Sequence, residues 1–169
     1  MNALALYQIN YGVYIVSSIK DGILNGQTAN TVFQVTAKPP MLAISIHKEN
    51  LTHEFITKSN LFSVSILEKE TPTSLIGKFG FRSGREINKF EGINYLIGKT
   101  GVPIVTENTL AYLELEVANA LDVGTHTLFL GNIVEGEIIR EGEPMTYSYY
   151  HEAKKGTSPK TAPTFRNPQ

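Results

Sequence analysis

The sequence offers few side chains for catalysis or metal binding, because it has four histidines and no cysteine. The lack of cysteine excludes disulfides, thiolate metal sites, iron–sulfur clusters and thiol nucleophiles within these 169 residues. None of the histidines has a histidine or carboxylate partner at metal-ligand spacing; they are His47, His53, His126 and His151. No catalytic triad is indicated either. Redox chemistry in this chain would therefore depend on a bound cofactor.

Two nucleotide-binding motifs are also excluded. The run Gly98-Lys99-Thr100 ends like a P-loop, but the preceding Gly92 lies one residue too far upstream for the GxxxxGK spacing. No GxGxxG run opens a helix, so no Rossmann unit is predicted. A nicotinamide donor, if one is used, would dock transiently on another cofactor.

Strands dominate the elements that would position polar residues. Predicted strands cover residues 12–19, 31–36, 41–47, 61–67, 110–117, 125–130 and 133–140, with a polar loop at 20–27. Two of them alternate apolar residues with small ones, namely Ala43, Ser45, Ser63 and Ser65. A face of small residues can accept a flat ligand or another sheet. Strands punctuated by glycine favour an antiparallel barrel over βαβ units.

Two short helices and a tail complete the predicted organisation. One helix spans residues 51–58, and the other begins with Thr71 as N-cap and Pro72 at its first position, ending near Gly80. After His151 the chain becomes hydrophilic and loses apolar periodicity. We therefore predict a mainly β domain over residues 1–152 and a polar C-terminal tail over 153–169.

Composition bounds the class of protein. Hydrophobic residues make up 41% of the chain and charged residues 18%, with a formal net charge of -1. These values are typical of a globular protein and argue against disorder or broad nucleic-acid binding. The uncharged stretch from residue 1 to 19 lacks the basic start of an export signal, so a cytoplasmic protein is expected.

Five segments carry a resemblance that spans nearly the whole chain: residues 25–40, 41–56, 78–90, 124–133 and 145–163. Together they resemble the flavin reductase-like FMN-binding split barrels. Within that family they are most similar to the flavin reductase portion of high-molecular-weight rubredoxins, and they are also similar to flavoredoxins and an archaeal ferric reductase. The resemblance implies an antiparallel Greek-key split β-barrel that binds FMN and takes electrons from NADH or NADPH.

The resemblance assigns contacts with the flavin ring and ribityl chain to four polar residues, Asn25, Thr28, Asn30 and Thr31. A flavin needs amide and hydroxyl partners for its polar ring edge, and these residues supply them on a turn that feeds a strand. Without the resemblance, the same residues would be read as a hairpin turn with its own hydrogen bonds.

The FMN phosphate is expected where a strand leads into a helix, at Ser45, Lys48, Asn50 and Thr52. Free backbone N–H groups and the helix dipole favour an anion at such a start. Ordinary helix capping by Asn50 or Thr52 explains the pattern about as well on local evidence.

A basic stretch follows, and the resemblance implies that it closes over the cofactor. Lys78 and Lys89 are then phosphate or ring contacts, with Arg82 and Arg85 second. A solvated basic loop is the common alternative.

His126 and the tyrosines near the C-terminus complete the predicted site. The resemblance places His126 beside the flavin, where a nicotinamide would stack, and we predict a catalytic role for it in preference to a structural one. Tyr149 and Tyr150, with Tyr147, could cover a flavin edge across a subunit boundary, although such clusters usually pack in cores.

The leading prediction is therefore an NAD(P)H-dependent FMN reductase. It would form a homodimer and pass electrons to free flavin, a ferric complex, or a redox protein of the rubredoxin or flavodiiron type. No acid or base is required of the protein, because hydride moves directly from nicotinamide to flavin. An FMN-binding electron carrier without nicotinamide oxidation is the alternative. A related barrel binding pyridoxal-type or haem ligands is a third, which segment 25–40 disfavours.

Overall fold

The computed structural model describes residues 2–165, without the side chains of Ala3 and Leu4. Residue 1 of the predicted domain and residues 166–169 of the predicted tail lie outside the described residues. A 3-10 helix, Ala3–Gln8, is followed by β1 Tyr14–Lys20, β2 Ile23–Ala29, β3 Val32–Ala37, β4 Pro40–His47, α1 Leu51–Ser59, β5 Leu61–Leu67, α2 Thr73–Phe81, β6 Tyr95–Ile97, β7 Pro103–Val105, β8 Thr109–Asp122, β9 His126–Ile138 and α3 Tyr147–Glu152. Across the described residues, no helix is long and apolar enough to span a membrane.

Seven strands form one antiparallel sheet in the order β2-β1-β5-β8-β9-β4-β3. The two edge strands, β2 and β3, are consecutive in the chain and are joined by only Asn30 and Thr31. So short a link spans about 11 Å at most, so the sheet must curl until its edges meet at this corner. No ladder joins β2 to β3 among the described strands, and the barrel is therefore split there. The predicted mainly β split barrel is confirmed.

Two apolar clusters form the core. One fills the barrel around Phe62, Leu115 and Ile44, which are fully buried. The other lies beneath α2 and α3, where Phe79 and Tyr150 pack with neighbouring apolar residues. The space between this second cluster and β2 holds a cavity of about 650 Å³. The fold thus places a cavity at the split edge of the barrel.

Strand β2 replaces most of the polar loop predicted at 20–27. The turn is only Asp21 and Gly22, which both have positive φ (51° and 77°) and allow a two-residue hairpin. The strand then pairs with β1 from Lys20↔Ile23 to Tyr14↔Ala29. The prediction was wrong because β2 is polar, with the sequence ILNGQTA, and its polar side chains face the cavity.

The bounds of β9 and α2 also differ from prediction. The two strands predicted at 125–130 and 133–140 are one strand, β9. Its Gly131 pairs with Leu42 on β4 and Val117 on β8 and so lies inside the strand, where an added Cβ would lie 2.8 Å from the Phe62 ring. Helix α2 has Pro72 as N-cap, because the Thr71 hydroxyl instead donates to the Glu68 carbonyl at 2.6 Å. Strands β6 and β7 and helix α3 were not predicted.

The small residues of β4 and β5 meet different neighbours. Ser63 on β5 is buried and donates to the Pro103 carbonyl at 2.6 Å. The face of β5 that carries small residues therefore packs against β7. Ser45 on β4 lines the cavity. The small face predicted for both strands therefore accepts a second sheet on β5 and leaves space for a ligand on β4.

Candidate functional site

A cavity of about 650 Å³ lies at the split edge, within the usual size range of small-molecule sites, about 300–1,000 Å³. Four parts of the chain wall it: strand β2 with the β2–β3 corner, the link from β4 into α1, helix α2 with the loop after it, and α3 with the tail. Each part contributes both polar and apolar residues, among them Asn25 and Ala29, Asn50 and Leu51, Arg82 and Phe79, and Thr157 and Phe165. Such a surface suits a flat, partly polar ligand.

The β2 wall is held rigidly by side-chain hydrogen bonds. Asn25, which is only 2% exposed, donates from Nδ2 to Thr52 Oγ1 at 2.9 Å. Gly84 presses against its other side, where an added Cβ would lie 2.1 Å from Asn25 Oδ1. Thr28 Oγ1 donates to the Ile76 carbonyl at 2.8 Å and so ties β2 to α2. The wall is thus preorganised rather than flexible.

The start of α1 presents backbone donors to the cavity. Asn50 is the N-cap residue, yet its side chain makes no capping hydrogen bond and instead donates to Gln27 Oε1 at 3.0 Å. The first N–H groups of a helix have no partner within the helix, and here they belong to cavity residues Leu51 and Thr52. Together with the helix dipole, they favour an anionic group at this end of the cavity.

Lys89 is the buried cation of the cavity. It is 5% exposed, and its ammonium donates to the carbonyls of Gly26 at 2.9 Å and Phe79 at 3.0 Å. Burial lowers the pKa of Lys89 to about 8. An ammonium has three donor protons, so beyond these two acceptors one proton is left for a ligand. The side chain therefore joins β2 to the end of α2 and offers the cavity a positive donor.

The tail forms the fourth wall, where sequence reasoning predicted only a polar extension. Residues 157–165 line the cavity, apart from Thr164. Tyr150 Oη donates to the Thr157 carbonyl at 3.1 Å, and Asn30 Nδ2 donates to Thr164 Oγ1 at 2.5 Å. The tail thus runs from α3 back to the β2–β3 corner.

The structure gathers nine of the predicted site residues around this cavity: Asn25, Thr28, Asn30, Ser45, Asn50, Thr52, Arg82, Lys89 and Tyr150. They come from every wall of the cavity and from distant parts of the chain. Their common location supports the predicted site, while their individual contacts with a cofactor stay predictions.

Four predicted binding residues lie outside the cavity wall. Thr31 supports it by donating to Asn30 Oδ1 at 3.1 Å. Lys48 pairs with Asp122 at 2.7 Å, and Lys78 donates to the Glu91 carbonyl. The Tyr149 hydroxyl faces Glu70 at 3.5 Å. Direct contact of these four with a cofactor would need a rearrangement that this structure does not contain.

His126 also lies outside the wall and touches the tail instead. Its Nε2 donates to the Thr161 carbonyl at 3.2 Å, so Nδ1 accepts from the Thr125 hydroxyl at 2.8 Å. The ring packs edge-on against His47, with centroids 4.8 Å apart. Burial lowers the pKa of His126, so the imidazole is neutral at physiological pH. Its predicted contact with a nicotinamide stays a prediction.

Sequence reasoning missed several wall residues. Gln27 holds the Asn50 side chain, Gly84 packs on Asn25, and Phe79 supplies an apolar wall and a carbonyl for Lys89. A polar residue inside a strand-forming stretch could have indicated Gln27. The tail lacked the apolar periodicity that would have indicated a cavity wall.

The amino-acid sequence matches a known protein family over most of its length. The flavin reductase like domain matches residues 6–158 of the chain. The chain belongs to the flavin reductase-like family. The family predicted from the five segments is thereby confirmed.

Individual relatives of this flavin reductase-like chain agree. It is 52% identical over 165 residues to the high molecular weight rubredoxin of Moorella thermoacetica, covering 98% of this chain and 72% of the relative. It is 49% identical over 165 residues to the ferric-chelate reductase (NAD(P)H) of Archaeoglobus fulgidus, covering 98% of both chains. A solved FMN-binding protein from Thermus thermophilus has a TM-score of 0.73 at 29% identity, covering 78% of this chain and 72% of that one.

Proposed function

We propose that this protein binds FMN in the cavity and catalyses NAD(P)H-dependent reduction of an acceptor through it. The observation that carries the proposal is the cavity itself, where a buried lysine with a spare donor proton and the open start of α1 flank apolar walls. The family and the ferric-chelate reductase relative point to the same activity. An FMN-binding structural relative supports the choice of cofactor.

The wall residues divide into those that suit a ring and those that suit a phosphate. Ile76, Phe79 and Tyr150 offer apolar contact for a flat ring system. Asn25, Thr28 and Asn30 would hydrogen-bond its polar edge, and the Ser45–Thr52 region with the α1 start would hold the phosphate. The third N–H of the Lys89 ammonium would donate a hydrogen bond to an oxygen of the bound cofactor.

When bound, FMN supplies hydride and one-electron chemistry, and the protein supplies position and electrostatics. Preorganised walls keep the ligand in one orientation, which lowers the entropic cost of bringing a donor against it. A cationic Lys89, only 5% exposed, would stabilise negative charge on its partner. Arg82, exposed at the rim, would attract anionic donors or acceptors.

A redox protein is a supported class of acceptor, since one close relative is a rubredoxin protein. Ferric complexes are a second class, because another relative is a ferric-chelate reductase. The electron carrier without nicotinamide oxidation stays the alternative function. A cytoplasmic location stays a prediction from the sequence.

We also infer a homodimer. Strand β3 exposes Phe33 (51%) and Val35 (44%), and the β8–β9 end exposes Leu121 (57%) and Val123 (52%). An exposed edge strand with apolar side chains tends to pair with another chain. A second copy would bury this surface through a two-fold interface. Sedimentation of the FMN-loaded protein tests this, since a monomer at micromolar concentration would contradict it.

Steady-state turnover tests the proposed function. Protein loaded with FMN should oxidise NADH or NADPH under anaerobic conditions in proportion to the ferric chelate supplied, and protein freed of flavin should not. Activity should return on adding FMN. A flavin-loaded protein that oxidises neither nicotinamide with any acceptor would contradict the proposal.

A further inference from the structure

The tail segment 157–165, here called the strap, crosses the cavity after a sharp reversal. Helix α3 ends at Glu152, and Lys155 adopts a left-handed conformation with φ 54°. The Gly156 N–H then donates to the Tyr150 carbonyl at 2.9 Å, which turns the chain back over α3. From there the strap runs along the cavity to the β2–β3 corner.

A few side-chain contacts hold the strap in place. The Thr164 hydroxyl donates to Tyr147 Oη at 3.0 Å and accepts from Asn30. The Tyr147 hydroxyl also bonds Ser158 Oγ. His126 Nε2 donates to the carbonyl of Thr161, in the middle of the strap, at 3.2 Å. These contacts, here called the latch, join the strap to helix α3, the β2–β3 corner and strand β9.

The strap is otherwise loosely attached. It joins no strand ladder, and none of its nine residues is buried. Its own backbone hydrogen bonds are local turns, from Ala162 to Pro159 and from Phe165 to Ala162. Segments with few buried contacts open at low free-energy cost. Opening the strap therefore requires breaking the latch and the hydrogen bond from Tyr150 Oη to the Thr157 carbonyl, and it leaves the barrel intact.

The strap covers the cavity rather than filling it. With the strap in place about 650 Å³ remains open beneath it, enough for a small-molecule ligand. A segment acting as an inhibitor would occupy that space. The position is that of a lid over a bound ligand.

We propose that the strap is a gate that retains FMN between turnovers, with His126 as a residue that positions it. The inference rests on the proposed function. Flavin enters and leaves only when the latch opens, so the cofactor stays resident and electrons pass to an acceptor at the strap. The acceptor class is then a ferric complex or redox protein, and free flavin does not exchange at the site during turnover.

A gate has a kinetic signature that a direct contact lacks. Opening controls entry and exit alike, so a weakened latch accelerates both and changes the equilibrium constant little. A side chain that only contacts the flavin changes release far more than entry. Breaking one neutral hydrogen bond changes an opening equilibrium by about fivefold.

The test uses the full chain with Thr164→Val and Ser158→Ala combined, which removes latch hydroxyls from the strap side. We expect FMN association and release to accelerate about tenfold or more, with Kd within about threefold of wild type. The matched control is Thr57→Val with Ser148→Ala, two exposed hydroxyl residues outside the cavity wall, which should change neither rate. Faster release alone, or no change in either rate, overturns the gate.

His126 is tested separately. His126→Phe should accelerate both FMN association and FMN release, and His126→Gln, which keeps a hydrogen-bond donor, should restore the slow rates. Slower reduction with unchanged FMN rates overturns the positioning role.

Two further measurements distinguish failure of the gate from failure of the proposed function. Release of FMN from wild type should be much slower than turnover with a ferric chelate, and release as fast as turnover overturns the gate alone. In protein without flavin, hydrogen exchange of the strap amides should accelerate in the latch variant, and unchanged exchange also overturns the gate alone. A wild-type chain that binds no FMN overturns the proposed function and the retention of flavin with it.

Discussion

Replacement of Lys89 by methionine distinguishes the contribution of this side chain to flavin binding from its contribution to the stability of the fold. The ammonium donates to the Gly26 and Phe79 carbonyls, and hydrogen bonds to a charged group stabilise by about 1.5–3 kcal/mol each. Burial opposes the charge, since lowering the pKa from 10.5 to about 8 corresponds to about 3 kcal/mol. These effects largely offset each other. In the flavin-free protein, Lys89→Met should therefore lower the free energy of unfolding by about 3 kcal/mol at most.

Flavin affinity should respond far more strongly. The variant loses the charged donor that Lys89 turns toward the ligand, about 1.5–3 kcal/mol, which raises the Kd for FMN by roughly 10- to 150-fold. The pH dependence follows from the same group. In wild type the ammonium is charged below about pH 8, so FMN affinity should weaken as pH rises through that value. Lys89→Met should show no such change.

Calorimetric titration with FMN from pH 7 to 9.5 and urea unfolding of the flavin-free protein measure the two quantities. The folded-state pKa lies below the unfolded value of 10.5, so wild-type stability should rise between about pH 8 and 10.5, and the variant should lack this rise. Lys58→Met, an exposed lysine outside the cavity wall, is the control. A Kd for Lys89→Met within threefold of wild type, with the same pH profile, would refute the reasoning.

Three other predictions follow from the site and its surroundings. The phosphate region should make FMN bind more tightly than riboflavin by about 1.5–3 kcal/mol per lost charge-assisted bond, and equal calorimetric affinities would exclude that region. Buried Glu114 accepts from Thr100 N at 2.8 Å and Lys99 N at 3.0 Å, so Glu114→Gln should cost at least about 1.5 kcal/mol in urea unfolding with FMN affinity unchanged; wild-type stability would contradict this. Burial lowers the pKa of His53 below 6.5, so stability should fall as pH drops below 6.5 and less so in His53→Gln; identical pH profiles would contradict it.

Much of the barrel could be predicted because its strands follow local rules. In β4, Leu42, Ile44 and Ile46 are all buried, as alternation required. Helix α1 was predicted to within one residue, since Asn50 marks its start and Asn60 closes it in a left-handed conformation. These features depend on residues close together in sequence. The local sequence pattern was therefore sufficient to predict these two elements.

Strand β2 shows why the functional edge was harder to predict. Its Asn25, Gln27 and Thr28 face the cavity, so the strand lacks the apolar alternation by which strands are detected. Functional residues break local patterns, and tertiary contacts compensate for them. Here the Asn25–Thr52 and Thr28–Ile76 hydrogen bonds provide that compensation.

The strap could not have been predicted from its own sequence. Its contacts join Thr164 to Asn30, 134 residues away, and Thr161 to His126. Such pairs depend on how the whole barrel brings distant segments together. For the same reason the sequence could not distinguish Lys89, inside the wall, from Lys78, outside it.

Anaerobic titration of the FMN-loaded protein with NADH, followed by the flavin absorbance, tests the central claim most directly. The proposed function predicts that about one equivalent of NADH or NADPH bleaches each bound FMN, because a hydride carries the two electrons that reduce it. Air should then restore the oxidised spectrum. Bound FMN that dithionite bleaches but neither nicotinamide reduces would contradict the claim and identify an electron carrier instead.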